Sequence, residues 1–400
     1  MQASEDQMRE EIISYARRIL PIRAISPESG GTGESARADE ICKILTENGL
    51  NDFQRYDTSD KNDVVRPNIV IKIGKAEKTL WLIAHIDTVP VGDRNLWTRD
   101  PFAATLEGNR IYGRGSSDDG QAVFLSLLLA REMKDKNLKY NLGIAFVADE
   151  EVGSVYGIQY LLKQGIFKKD DLILVPDSGS EDGLDIEVAE KSILWIKFTI
   201  KGRQYHASRP DNAINAGRES MKFILKLDSM LHEKYTAKNE VFNYPYSTFE
   251  PTKHEKNVDN VNTIPGVETI YLDCRVLPMY DLDNVIDDIT NCIRDFEKES
   301  KVHISFEFMQ KEQAPVNTSP DSNIVKVLSE SIKKIKGSEP RIVGIGGGTC
   351  AAFFRHDGMD AVVWSTTVPE VAHQADEYCV IDHIIGDFKI LENILMNDEN

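Results

Sequence analysis

The chain has 400 residues, 41% of them hydrophobic and 28% charged, an ordinary globular composition on a length that exceeds what one hydrophobic core serves, so two domains are expected. Its formal charge of −18 argues against nucleic acid or an anionic membrane surface as partner, because both require a basic face.

The first twenty residues, MQASEDQMREEIISYARRIL, lack the basic and apolar regions of a signal peptide. Apolar residues at helical spacing predict a helix over 8–19 and a second over 36–45 that stops at Gly49, with the polar loop SPESGGTGES between them. Near-continuous apolar runs at 68–73 and 80–86 fit strands covered on both faces. A buried helix over 121–133, a strand over 142–148, a helix over 155–163 and a strand over 172–175 continue a βα alternation. The longest uncharged apolar run, 122–130, is far too short to span a bilayer.

The texture changes near residue 191. Strands over 192–201, 269–276 and 302–309 alternate in polarity, and amphipathic helices cover 212–232 and 281–297. After a linker at 313–320 the βα pattern resumes, with strands at 341–345 and 361–364. The fold class expected is α/β: a mostly parallel sheet with helices on both faces, built from 1–190 and 312–400. Into it 191–311 is inserted as an α+β module of two helices on a four-stranded antiparallel sheet. Five scattered cysteines (Cys42, Cys274, Cys292, Cys350, Cys379) carry no metal-finger or paired spacing and suit a reduced cytoplasmic setting.

Histidines and acids recur where apolar strands end. In LIAHIDTVP, His85 and Asp87 point to the same side of an extended strand. Alone that is a polar strand end; in company it is a metal ligand with a carboxylate that fixes its tautomer. YGRGSSDDG places Asp118 and Asp119 before a helix, where aspartates also serve as ordinary caps. FVADEEVG offers Glu150 and Glu151, one able to bind metal and the other free to act as a base. LVPDS leads a strand straight into Asp177, and VAHQADEY adds His373 in a late loop. In open α/β sheets, ligands gather at the carboxyl ends of the strands. Two histidines and three carboxylates, one of them shared, suffice for two four-coordinate Zn²⁺ ions with an open position for water, and an oxygen-rich set also tolerates Co²⁺ or Mn²⁺.

With these motifs in this order, nearly the whole chain resembles the co-catalytic zinc amidohydrolases of metallopeptidase family 20. That family includes succinyl-diaminopimelate desuccinylases, acetylornithine deacetylases, aminoacylases, carboxypeptidase G and carnosinase-type dipeptidases. The resemblance implies a zinc-exopeptidase-like catalytic domain with a lid that also dimerises. It places His85 and Asp177 on one metal, Glu151 and His373 on the other, and Asp118 between them through a cis peptide to Asp119. Asp87 would orient His85, and Glu150 would be the general base. In GRQYHASRP, His206 is implied to stabilise the oxyanion in a partner subunit of a homodimer. Asn262 in NVNTIPG, Arg275 in DCR, and the turn Gly346-Gly347-Gly348-Thr349 are implied to hold the substrate. That substrate would be a small N-acyl amino acid or a dipeptide. The overall likeness, in GIGGGTCAAFFR and VVWSTTVPEVAHQADEY, is to desuccinylase-like proteins. Asp177 stands instead where the family's deacylases usually carry glutamate and its dipeptidases aspartate.

A competing class, a nucleotide-binding α/β protein, is raised by GIGGG at 344–348 after a strand. A dinucleotide fingerprint needs a βαβ unit and an acid about twenty residues on. Asp360 comes too early for that acid, and only one clear strand follows.

Overall fold

The computed structural model describes residues 4–396. The chain divides into two compact units: residues 1–188, 318–342 and 349–400 in the first, and 189–317 with 343–348 in the second.

The first unit is built on an eight-stranded sheet, of which residues 189–190 and 343–345 at the ends of two strands are counted with the second unit. In spatial order its strands are Gln54–Arg55, Ile69–Ile73, Asn141–Val147, Thr79–His85, Leu172–Val175, Ala361–Val363, Asp185–Glu190 and Arg341–Ile345. The four central strands, from Asn141–Val147 to Ala361–Val363, are mutually parallel, and antiparallel pairings flank them. Thr79–His85 and Asn141–Val147 are buried along their whole length, which is why these runs are apolar without alternation. Trp81 and Ile83 pack on one face with Ile158, Leu161 and Phe354. Helix Gln121–Met133 covers the other face, packed on helices Glu5–Ile19 and Ile381–Leu395. Helix Glu5–Ile19 begins earlier than its apolar pattern, because Ser4 and Gln7 close a capping box ahead of it.

The helix expected over 155–163 is only Ile158–Leu162. The residues before it are held in a turn: the N–H of Tyr156 donates to Asp149 Oδ2 at 2.9 Å. A Cβ on Gly157 would lie 1.9 Å from the Ala148 carbonyl oxygen. Close backbone approach at the sheet end has displaced the first helical turn.

The second unit is an antiparallel sheet ordered Thr248–His254, Val267–Val276, Ser192–Lys201, His303–Glu312. Alternate residues Leu194, Ile196, Phe198 and Ile200 are buried in a core with Phe223 and Leu227 of helix Ala216–Lys234 and with Ile289 and Phe296 of helix Leu282–Glu299. Asn215 and Asp281 cap these helices through their side-chain oxygens. Both helices therefore serve one sheet face, as the polarity of 192–201 leads one to expect. Among the described residues, no helix is long and apolar enough to cross a membrane.

Candidate metal centre

Register brings the acids together. His85 pairs with Val147, and Leu82 with Leu174, across parallel strands. The residues that follow Val147 and Val175 therefore emerge beside His85 at one end of the sheet. The loop from Gly113 supplies Asp118, whose peptide to Asp119 is cis.

Asp118 lies between the two histidines. Its Oδ1 is 2.8 Å from His85 Nε2 and its Oδ2 is 2.9 Å from His373 Nε2. His85 Nε2 is also 3.8 Å from Asp177 Oδ1, and His373 Nε2 is 3.2 Å from Glu151 Oε2. A carboxylate oxygen of Glu150 lies within 4.8 Å of ligand atoms of His85 and Asp177. The arrangement thus has two halves, His85 with Asp177 and His373 with Glu151, sharing one carboxylate.

Asp87 does more than face its histidine. Its Oδ1 is 3.3 Å from His85 Nδ1. Its two oxygens also accept the backbone N–H groups of Glu150 and Glu151, both at 3.1 Å. One buried carboxylate thereby ties the orientation of His85 to the loop that carries both glutamates. Behind it, Ser26 Oγ donates to Asp87 Oδ2 at 3.3 Å. Arg66 Nη2 donates to Glu34, Asp149 and Ser26 at 2.7, 2.9 and 3.3 Å. Asp149, just ahead of the glutamates, has φ +70°, a conformation costing about 1 kcal/mol that its bonds to Arg66 and Tyr156 offset. On the far side, Glu377 accepts the N–H groups of Ser117 and Asp118 at 2.9 and 3.1 Å. Asp119 Oδ2 accepts the N–H of His85 at 3.1 Å. Ser26, Glu34, Arg66 and Glu377 carry no signal of this role in the sequence, and for Asp119 the bond to His85 is new.

The electrostatics of the cluster favour added positive charge. Burial, and then Asp177, pushes the Glu150 carboxyl well above its usual range. Burial likewise pushes Asp177 up to about 7. For Asp118, burial acts upward, but hydrogen bonds to His373 and His85 outweigh it and hold the carboxyl well below the usual range. Hydrogen bonds to Asp118 and Glu151 raise His373 to about 10. So many acids around two imidazoles cannot remain ionised together without added positive charge. Glu151 Oε1 is buried with no hydrogen-bond partner among the described residues, as a ligand atom awaiting a cation would be. The donor set of imidazole and carboxylate fits divalent zinc, cobalt or manganese.

The remaining predicted residues lie in the second unit, Thr349 apart. His206 sits on the short ladder Tyr205–His206 with Thr263–Ile264, and the N–H of Ala207 donates to the Asn262 carbonyl at 2.9 Å. The N–H of Ser208 donates to His206 Nδ1 at 3.2 Å, so the neutral ring carries its proton on the exposed Nε2. Arg275 is held by Asp273 through two bonds, at 2.7 and 3.1 Å, and its Nη1 donates to the Gly346 carbonyl at 2.8 Å. It braces the glycine turn. Gly346 and Gly347 have open space where a Cβ would stand, and Gly348 has only side-chain atoms near 4 Å. Thr349, in the first unit, accepts the N–H of Ala351 at 3.2 Å ahead of helix Ala351–His356.

Comparison with known proteins shows the family of the chain. The family model described as peptidase family M20/M25/M40 matches residues 81–397. A metallohydrolase of Methanocaldococcus jannaschii is 39% identical over 96% of this chain and 99% of its own. A succinyl-diaminopimelate desuccinylase of Rickettsia bellii is 22% identical over 97% and 96%. Among solved structures, an M20 family metallo-carboxypeptidase from Sulfolobus solfataricus superposes with a TM-score of 0.73 at 23% identity, covering 97% of this chain and 98% of that one.

Proposed function

Because this chain belongs to peptidase family M20/M25/M40 and is a metal-dependent hydrolase, we propose that it cleaves the amide bond of a small N-acyl amino acid, as a desuccinylase-like deacylase. The observation that carries the reading is Asp118, with one oxygen on each of two histidines and a glutamate pair beside them. In it His85, Asp177 and Asp118 would hold one divalent cation, and His373, Glu151 and Asp118 a second. Zinc is the first choice, with cobalt or manganese as substitutes. Bound there, the cations would lower the pKa of a water and polarise the scissile carbonyl.

The chain's own groups do the rest. Glu150 has a raised proton affinity and lies beside the His85–Asp177 half, so its carboxylate takes the proton from water and returns it to the leaving amine. Asp87 keeps Glu150 and Glu151 in register with His85. His206 offers Nε2–H to the developing oxyanion, where one such donor contributes roughly 10²–10³-fold. Asn262, Arg275 and the turn 346–349 bind the substrate's polar groups, Arg275 taking a carboxylate. The assembly is read as a cytoplasmic homodimer joined through the inserted unit. Met221 and Leu225, 68% and 69% exposed at i and i+4 on helix Ala216–Lys234, support that face.

A second reading, dipeptidase or carboxypeptidase, is favoured by Asp177 where the deacylases of the resemblance carry glutamate. A hydrolysis panel with Zn²⁺ or Co²⁺ separates the two. Release of succinate or acetate from N-acyl amino acids, with dipeptides left intact, supports the first reading; the reverse pattern replaces it with the second. No hydrolysis of either class would sink both.

A further inference from the structure

Glu377 is buried, and both its oxygens are taken. Oε1 accepts the N–H groups of Ser117 and Asp118. Oε2 accepts the N–H of Gly115 at 3.1 Å and Nη1 of Arg114 at 2.5 Å. The backbone carbonyl of Glu377 accepts the N–H of Gly113 at 2.9 Å. This one residue therefore fixes the turn from 113 to 118 that presents the shared carboxylate. Arg114, 2% exposed, extends the fixture. Its Nη2 donates to the carbonyl oxygen of His373 at 3.3 Å, and its guanidinium lies 5.2 Å from the Trp97 ring. A planar fork is thus shared between the turn that carries Asp118 and the loop that carries His373. His373 has φ +61° and a half-exposed ring; three residues on, its loop is also held by Asp376, which accepts the N–H and the hydroxyl of Thr98, so Arg114 is the support nearest the ligand itself.

The other half of the centre has different supports. His85 ends a fully buried strand, its N–H is held by Asp119 and its ring faces Asp87. A buried ion pair contributes little net stability, since desolvation cancels most of its attraction. What Arg114 and Glu377 supply is geometry.

On the metal-centre reading given above, we propose that Arg114 and Glu377 are a positioning pair that sets the Asp118–His373 separation and thereby the affinity of the Glu151–His373 cation position, leaving the His85–Asp177 position largely independent of Arg114. Neither residue is among the proposed ligands.

The test uses the full chain freed of metal and titrated with Zn²⁺ in competition with a chromophoric chelator, with thermal unfolding followed in parallel. Arg114→Lys keeps a charge for Glu377, but one ammonium cannot also reach the His373 carbonyl as the fork does. One binding step should remain within twofold of wild type while the other weakens at least tenfold. His373→Ala should show the same selective loss, and adding Arg114→Lys to it should change the surviving step by less than twofold. Arg114→Gln, titrated alongside, keeps the result from depending on one variant's folding. Unchanged affinities, or equal weakening of both steps, would overturn the proposal even if the melting temperature falls, since that is what a merely structural pair would give. A wild-type chain that takes up fewer than two ions would overturn the metal-centre reading first, and this proposal with it.

Discussion

Asp118 and Glu150 divide the chemistry at the candidate centre, and single substitutions separate them. Glu150→Ala should keep its cations but lose about 10²–10⁴-fold in turnover, the usual cost of a missing proton shuttle. Metal analysis alongside kcat checks this, and loss of a cation would make Glu150 a ligand instead. Asp118→Ala should empty both halves, because each histidine shares that carboxylate; two ions per chain in this variant would contradict the bridging role. That His85, Asp118, Glu150, Glu151 and Asp177 converge could be anticipated, since each follows an apolar run or a glycine turn in the first half of the chain. Arg66, Glu34 and Glu377 could not be. Glu377 meets Arg114 263 residues away, and a buried guanidinium leaves no periodic trace in the sequence.

Among the elements, helix Ile381–Leu395 is tied to the end of strand Ala361–Val363 by one acid. Asp387 accepts the N–H and the hydroxyl of Thr366 at 2.8 and 2.5 Å. Burial raises its carboxyl to about 6. A raised carboxylic pKa means that the folded protein binds the proton more tightly than the unfolded chain does. Stability should therefore fall as pH rises from about 4 to 6, and ionisation above that window costs up to ~3 kcal/mol. Asp387→Asn keeps an acceptor for Thr366 and stays neutral. Its melting temperature should exceed wild type at pH 7.5, and the gap should close below pH 4. An equal gap at both pH values would place the effect elsewhere than the charge. Elements were legible where burial is two-sided, as in 80–86 and 142–148. Strand Thr248–His254, with Pro251 and mostly exposed residues, gives no such signal, because this edge strand buries too little of either face to alternate in polarity.

At the level of the whole molecule, the cations should be part of the fold's stability. A chelator should lower the melting temperature and added Zn²⁺ should restore it, since a ligand at 1,000 times its Kd adds about 4 kcal/mol. Calorimetry should show the shift in the transition of the first unit and little change in that of the second. A chelator-insensitive first transition would mean that the acids at the sheet end fold without added charge. The change of texture near residue 191 is legible in the sequence. That residues 343–348 cluster with the second unit is not, because the bonds from Gly344 to Val241 and from Lys191 to Ile345 are made by backbone, which leaves no mark in residue type. The strand order also has a consequence in time. Ala361–Val363 lies between Leu172–Val175 and Asp185–Glu190, yet it leaves the ribosome roughly 190 residues after the first of them. At about 5–20 residues per second, that slot stays open for about 10–40 s. Meanwhile the nascent chain carries bare strand edges and lacks His373, while residues 189–317 have already emerged. His373 would be the last residue of the candidate metal centre to join the others.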